Sequence, residues 1–405
     1  MAIEIRAVTD DEFPAMVRAL HRGFGEDPPE DDPDGRSLAA VLPAERTVVA
    51  FDGARIVGTL GDFSLLVYLP GGALVPMAGT TVVTVASTHR RQGVLRAMMQ
   101  RHLDIAVDRG DPLAGLWASE TPIYGRFGFG CAADELGYEF PGDQVIIPPP
   151  EDVSVELLDD GTAADVLPSI FERVARRPGT SPRTPAWWEH HTLHDSPSRR
   201  HGRSALRHAV AVRGGERVGY ASYRLKHQWE EYPDGTVSSQ ALFAADTGVR
   251  RALVHYLANI DLFPNVGLWR QPVDDPLIWE VADRRRAKRT INDSLWLRIL
   301  DVPAALDART YEADGRLVIG VDDPTRPANS GTYELAIEAG AASCVPTSAE
   351  PEVAMDIGTL GALYLGGRSA VVLHRAGLVT GTRPDVARLD NLFRTAAAPW
   401  CPEVF

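Results

Sequence analysis

The chain is poor in cysteine. Cys131, Cys344 and Cys401 are the only three in 405 residues, far apart and without a Cys-x-x-Cys pair. That excludes a disulfide framework and the common zinc or redox spacings, and it predicts free thiols in a reducing cytoplasm. No apolar run approaches the length of a membrane span. The opening MAIEIRAVTDDEF lacks a basic stretch followed by an apolar core, so no secretory leader is expected. Positive charge is also in deficit: 41 Lys and Arg face 55 Asp and Glu, a formal −14 at pH 7. Such a field disfavours nucleic acid as the main partner and suits cationic small molecules. His190 and His194 have the i, i+4 spacing of a zinc pair, but no H-E-x-x-H or third ligand cluster joins them, so no metal is expected. What the chain does have is apolar content, 44% of its residues, enough for two or three packed domains of about 150 residues each.

The stretch from Thr80 to Gly130 carries the chemistry. A β-branched run, Thr80 to Val85, leads into a basic loop containing one glycine, Arg90-Arg91-Gln92-Gly93-Val94-Leu95. Leu95, Met98, Met99, Leu103 and Ala106 then recur at helical spacing, with Gly110 as the stop. A second apolar strand, 113–118, and a turn holding Tyr124 complete a βαβ unit. The first turn of a helix leaves backbone N–H groups without partners, and the macrodipole adds positive charge there. A glycine lets the backbone approach a pyrophosphate closely, while Arg90 and Arg91 offer charge-assisted hydrogen bonds. The spacing is neither the G-x-x-x-x-G-K-[ST] of a Walker loop nor the G-x-G-x-x-G of dinucleotide folds.

Arg-x-x-Gly-x-small after a strand instead resembles the coenzyme A loop of GNAT acyltransferases, with Leu95 standing where the small residue is usual. THRRQGVLRAM, ASETPIYGRFGFG, LWLRILDVPAALDAR (295–309) and GALYLGG (361–367), in this order, resemble the Eis (enhanced intracellular survival) family of acetyltransferases. The resemblance covers essentially the whole chain. It implies an α/β chain of mixed type, with tandem GNAT acyltransferase folds followed by a sterol-carrier-protein-like domain. The expected divisions are 1–145, 146–292 and 293–405. It further implies acetyl transfer from acetyl-CoA to amines such as aminoglycosides or other polyamines, and a homohexamer.

Site residues follow from the same resemblance. Coenzyme contacts are expected from Val83, Thr84, Val85, Arg90, Arg91, Gln92, Gly93, Val94, Leu95, Ser119 and Ile123. Tyr124 matches the general acid that protonates the leaving thiolate, and strand backbone at Val83–Val85 can steady a developing oxyanion. An alkyl ammonium must lose a proton before attack. The family uses the terminal α-carboxylate for this, here that of Phe405. Phe13, Phe24 and Glu26 match acceptor-pocket positions; the family often has an acidic residue immediately before the terminus, where this chain has Val404, with Glu403 one step back as the acceptor-side candidate. Acetylation of protein or peptide lysines is the neighbouring alternative. A lipid-binding protein with a relic acyltransferase fold is the alternative from another class.

Along the chain, strands are expected at 3–8, 46–52 and 54–69, the last two joined at Asp52-Gly53 by a type I′ hairpin. Thr9 or Asp10 caps a helix burying Phe13, Met16, Val17 and Leu20. The segment 132–140 is expected to close the first sheet. A similar order of elements returns from Val153, ending in a helix at 276–286, but with Asp246-Thr247-Gly248-Val249 where the basic loop would stand. Without that loop, the repeat is expected to bind no coenzyme. The last part reads as a helix at 302–309, strands at 316–321, 332–339 and 352–356, and helices within 357–395.

Overall fold

A computed structural model describes residues 3–159 and 161–405. The first stretch runs β1 (Glu4–Arg6), α1 (Phe13–Phe24), α2 (Arg36–Ala39), β2 (Val49–Asp52), β3 (Arg55–Tyr68), β4 (Leu74–Val85), α3 (Val94–Asp108), β5 (Leu113–Trp117), α4 (Thr121–Tyr124) and β6 (Gly130–Cys131). A Thr9/Glu12 capping box leads into α1, and Gly25 ends it in the left-handed region at φ 79°. Its buried stripe is Phe13, Met16, Val17 and Leu20, as the periodicity requires. The β2–β3 hairpin differs from expectation. Asp52 pairs with Arg55, so the loop residues are Gly53 and Ala54, and of these only Gly53 has positive φ. A type I′ turn needs both.

The features that open a cleft lie in β4 and β5. These two strands are parallel partners only over Met77–Gly79 and Leu113–Gly115. Beyond that they part, and β4 carries an irregularity against β3 at Thr59/Gly61, with Val82 at φ 49°. Thr59 Oγ1 holds the distorted strand by donating to the Val82 carbonyl at 2.6 Å, and lies 2.9 Å from Thr84 Oγ1. Behind it, the buried His102 of α3 bonds Thr80 Oγ1 at 2.8 Å and faces Asp62 of β3 at 3.3 Å. Helix α3 is thereby fixed to both strands.

The second stretch runs β7 (Asp134–Pro141), β8 (Val153–Leu157), α5 (Ala163–Val174), α6 (Pro185–Trp187), β9 (Arg207–Arg213), β10 (Glu216–Lys226), β11 (Thr236–Ala244), α7 (Thr247–Ala258), β12 (Asn265–Gln271), β13 (Lys288–Asp293) and β14 (Leu295–Ile299). Two strands depart from the expected plan. The segment expected to close the first sheet, β7, pairs with β12 and β13 instead. Its place in the first sheet is taken by β14, antiparallel to both β5 and β6. The sheets are therefore β1-β2-β3-β4-β5-β14-β6 and β13-β7-β12-β11-β10-β9-β8. Nor is there a helix over 276–286. Pro276–Trp279 is a single 3-10 turn, and a basic run, Arg284-Arg285-Arg286-Ala287-Lys288-Arg289, continues into β13, whose charged residues suit an exposed sheet edge. His190 lies in a π turn (Trp188–Thr192), and His194 Nδ1 sits 3.4 Å from Ser37 Oγ.

The last stretch contains α8 (Val302–Ala308), β15 (Gly315–Asp322), β16 (Gly331–Glu338), β17 (Ala341–Pro346), β18 (Val353–Asp356), α9 (Ile357–Leu363), α10 (Ala370–Arg375), β19 (Val379–Gly381) and α11 (Arg383–Phe393). Its sheet, β17-β16-β15-β18-β19, includes two strands, β17 and β19, that the sequence did not announce. This unit packs on the first sheet. Val67, Met77, Leu113 and Leu297 share one core with Leu317, Leu335, Leu360 and Phe393. The approach is closest at glycines: a Cβ on Gly130 would overlap the Gly358 carbonyl oxygen. The tail beyond α11 runs between the units, with Cys401 in the core shared with the first sheet and Trp400 in a core of the second.

Candidate active site

Where β4 and β5 diverge, a cleft of about 870 Å³ opens above the loop that precedes α3. Val83, Thr84, Val85, Arg90, Arg91, Gly93, Val94, Leu95, Ser119 and Ile123 line it. Gln92 does not; its amide donates back to the Thr88 carbonyl at 3.0 Å. The loop contains two left-handed residues, Arg91 at φ 62° and Gly93 at φ 84°. Gly93 is the N-cap of α3 and no side chain caps that end, so the first-turn N–H groups face the cleft mouth. Arg96 and Arg126 add two further guanidinium groups to those of Arg90 and Arg91. Four cations around an uncapped helix start fit a polyphosphate, and the unpaired end of β4 fits an extended amide chain.

A second cleft of about 300 Å³ meets the first. Phe24, Val83, Ser119 and Tyr124 belong to both. Leu20, His21, Glu26, Thr80, Thr81, Val82, Trp117 and Phe405 complete the smaller one. Helix α1 reaches this junction because Gly23 lies directly on Thr84; a Cβ there would come within 2.6 Å of it. Phe24, the next residue, is half-exposed between the two spaces. Tyr124 ends α4 and is 4% exposed, with its ring edge-on to Phe129 at 6.2 Å. Burial raises its phenol above the ordinary 10.0, the Ser119 hydroxyl acts in the opposite direction, and the Glu120 carboxylate raises it further.

The sequence-derived acceptor residues divide. Phe24 and Glu26 line the smaller cleft, Glu26 as an exposed rim carboxylate 3.7 Å from His21 Nδ1. Phe13 lines neither cleft and packs with Met16, Val17 and Phe51. Glu403 is also elsewhere, 5% exposed and bound by Arg183 and Trp187. Phe405, two residues on, does reach the cleft that holds Tyr124. Trp117, His21, Thr80, Arg96 and Arg126 line the two clefts without having been singled out from sequence. Arg126 stands inside the Tyr-Gly-Arg-Phe turn beside Tyr124 and was the most findable of them.

Residues 4–132 match an acetyltransferase (GNAT) domain family, 179–299 match a second such family, and 302–402 match a sterol carrier protein domain family. An uncharacterized N-acetyltransferase of Streptomyces avermitilis is 39% identical over the full length of both chains. N-acetyltransferase Eis of Mycobacterium tuberculosis is 32% identical, over 97% of each chain. The chain belongs to the Eis family of GNAT acetyltransferases. The crystal structure of Eis1 from Mycobacterium abscessus superposes with a TM-score of 0.86 at 31% identity, covering 99% of this chain and all of that one. The architecture is accordingly two GNAT folds and a sterol-carrier-like domain, and the protein is an acyltransferase. GNAT acetyltransferases use acetyl-CoA, and the larger cleft has the charge, length and free strand edge to hold it.

The Eis-type repeat in the second stretch has no comparable loop. Asp246 caps α7 with its own carboxylate, accepting from Val249 N at 3.0 Å, and Arg213 pairs with that carboxylate. The anion position at this helix start is already filled by a side chain. No helix among the described residues is long and apolar enough to cross a membrane.

Proposed function

We propose that the protein transfers the acetyl group of acetyl-CoA to a primary amine bound in the smaller cleft, with aminoglycosides and other polyamines as first-choice acceptors. The observation that carries this reading is the junction of the two clefts at Tyr124, with Phe405 on the acceptor side. Acetyl-CoA supplies a thioester whose carbonyl carbon accepts the amine. Arg90, Arg91 and the start of α3 hold the pyrophosphate. The freed backbone of Val83–Val85 binds the pantetheine arm and donates to the oxyanion that forms on attack. The α-carboxylate of Phe405 takes the proton from the ammonium, and Tyr124 gives its phenolic proton to the departing thiolate. A raised phenol pKa keeps that proton in place at neutral pH. Glu26 at the rim and the field of a −14 chain favour cationic acceptors.

The test is thiol release from acetyl-CoA across a panel of aminoglycosides, linear polyamines, arylalkylamines and lysine peptides. Turnover with the polyamines supports the reading. Release confined to lysine peptides would move the acceptor to protein side chains. No release with any amine, together with no thermal stabilisation by coenzyme A, would leave a relic fold.

A further inference from the structure

The tail that brings Phe405 to the cleft packs partly on the first sheet, but its polar anchors on the way there come from the second fold. Ala398 N donates to Asp274 at 3.0 Å, and Arg177 Nε donates to the Ala398 carbonyl at 3.2 Å. Trp400 N bonds the Pro178 carbonyl at 2.8 Å, and its indole N–H bonds the Arg270 carbonyl at 2.6 Å. The last anchor is ionic. Arg183 Nε donates to Glu403 Oε1 at 2.7 Å, and Trp187 Nε1 donates to Oε2 at 3.2 Å. Both charged side chains are almost fully buried, 5% and 6% exposed. The Arg183 guanidinium lies 4.0 Å over Phe171 and 4.7 Å over Trp188. Trp187 also packs edge-on against Phe63 of β3, in a cluster that Phe405 joins.

We propose that Arg183, Trp187 and Glu403 form a latch that fixes the terminal carboxylate of Phe405 against the acceptor cleft. The coenzyme-free second fold thereby becomes the part of the enzyme that positions the base. The inference rests on the reading of Phe405 given above. Chain ends ordinarily fray, and a buried ion pair adds little stability over an apolar pair of equal size. What such a pair supplies is a fixed place. With Glu403 held by two donors, two residues of extended chain confine the carboxylate to within about 7 Å of it. The same pairing explains why Glu403 offers no charge to an acceptor: both of its oxygens are taken by the second fold. Arg183, Trp187 and Glu403 are positioning residues, acting on the reaction only through Phe405.

Three variants test this: Glu403→Gln, the double Arg183→Met/Glu403→Leu, and Trp187→Phe, which removes one N–H and keeps a ring. Each is compared with and without deletion of Phe405. The latch predicts that Glu403→Gln and the double variant lose about 10²-fold in kcat, as a misplaced reacting group does, with coenzyme affinity unchanged by calorimetry. Trp187→Phe should show a smaller loss in the same direction. None of them should lose more when Phe405 is also absent, because the carboxylate then left on Val404 falls one residue short of the cleft, up to about 3.5 Å, whether or not it is held. A carboxypeptidase that prefers aromatic ends should release Phe405 faster from each variant than from the native enzyme. Native kcat with native protection in Glu403→Gln overturns the latch, as does a loss that adds to that of deleting Phe405. If deletion of Phe405 from the native enzyme leaves kcat unchanged, the base assignment fails instead. The latch is then decided by the carboxypeptidase rates alone, and unaltered release from the double variant overturns it.

Discussion

Tyr124 sits where both clefts meet, and its environment fixes what pH should do. Burial and Glu120 hold the phenol above its ordinary 10.0 in the folded chain. A general acid works in its protonated form, so its contribution is complete below that pKa and is lost as pH rises through it. The kcat profile should therefore show no decline attributable to this group until pH exceeds about 10. Tyr124→Phe should lower kcat by about 10²–10⁴-fold and leave coenzyme affinity nearly unchanged, read by thiol release and calorimetry. Arg91 tests the other cleft: Arg91→Ala should weaken acetyl-CoA binding by about 1.5–3 kcal/mol, the scale of a hydrogen bond to a charged group. Arg and Ala both carry a Cβ at this left-handed position, so its strain is similar in the two and the difference reports the guanidinium. The loop and Tyr124 could be picked out from sequence because each lies in one short contiguous pattern. Glu403 could not be read in this way. Its partners Arg183 and Trp187 stand 220 and 216 residues away, and no local spacing records that encounter.

Elements were legible where a periodic stripe or a capping signal decided them, as in α1 and α3. They were not where pairing decided them. Nothing in the 134–141 run says whether it joins β5 or β12, since an apolar alternation suits either sheet. The strand chosen for the first sheet, β14, comes after a whole intervening fold. Pro276 opens only a single 3-10 turn, which ends at Glu280, and the exposed charged run beyond it is the mark of an edge strand. The junction of β6 and β14 with α9 makes a sharp prediction. Gly130 faces the Gly358 carbonyl, and Gly361 faces the Leu297 carbonyl, where a Cβ would come within 2.5 Å. Backbone cannot retreat as a flexible side chain can, so Gly130→Ala should cost at least the roughly 1–3 kcal/mol of core overpacking. Urea denaturation of the variant measures it, and an unchanged midpoint would mean that the unit and the sheet are free to part.

The molecule as a whole uses its repeat asymmetrically. One GNAT fold presents an open helix start ringed by arginines; the other has closed its own with Asp246 and Arg213. Calorimetry should accordingly count one coenzyme per chain, and a stoichiometry of two would contradict the blocked anion position. The second fold is inserted between neighbouring strands of the first sheet. It leaves after β6 and returns at β14, where Ser294 N donates to the Ala133 carbonyl at 3.0 Å. That exchange has a consequence in time. Strand β5 is complete at Trp117 but must wait for Leu295 to emerge before its second edge is paired. With about 180 residues between them and synthesis at about 5–20 residues per second, an apolar strand edge stays open for roughly 10–40 s on every ribosome. Chains stalled inside the second fold should collect in aggregates or on chaperones more than chains that have passed β14, in which every strand of the first sheet is available for pairing.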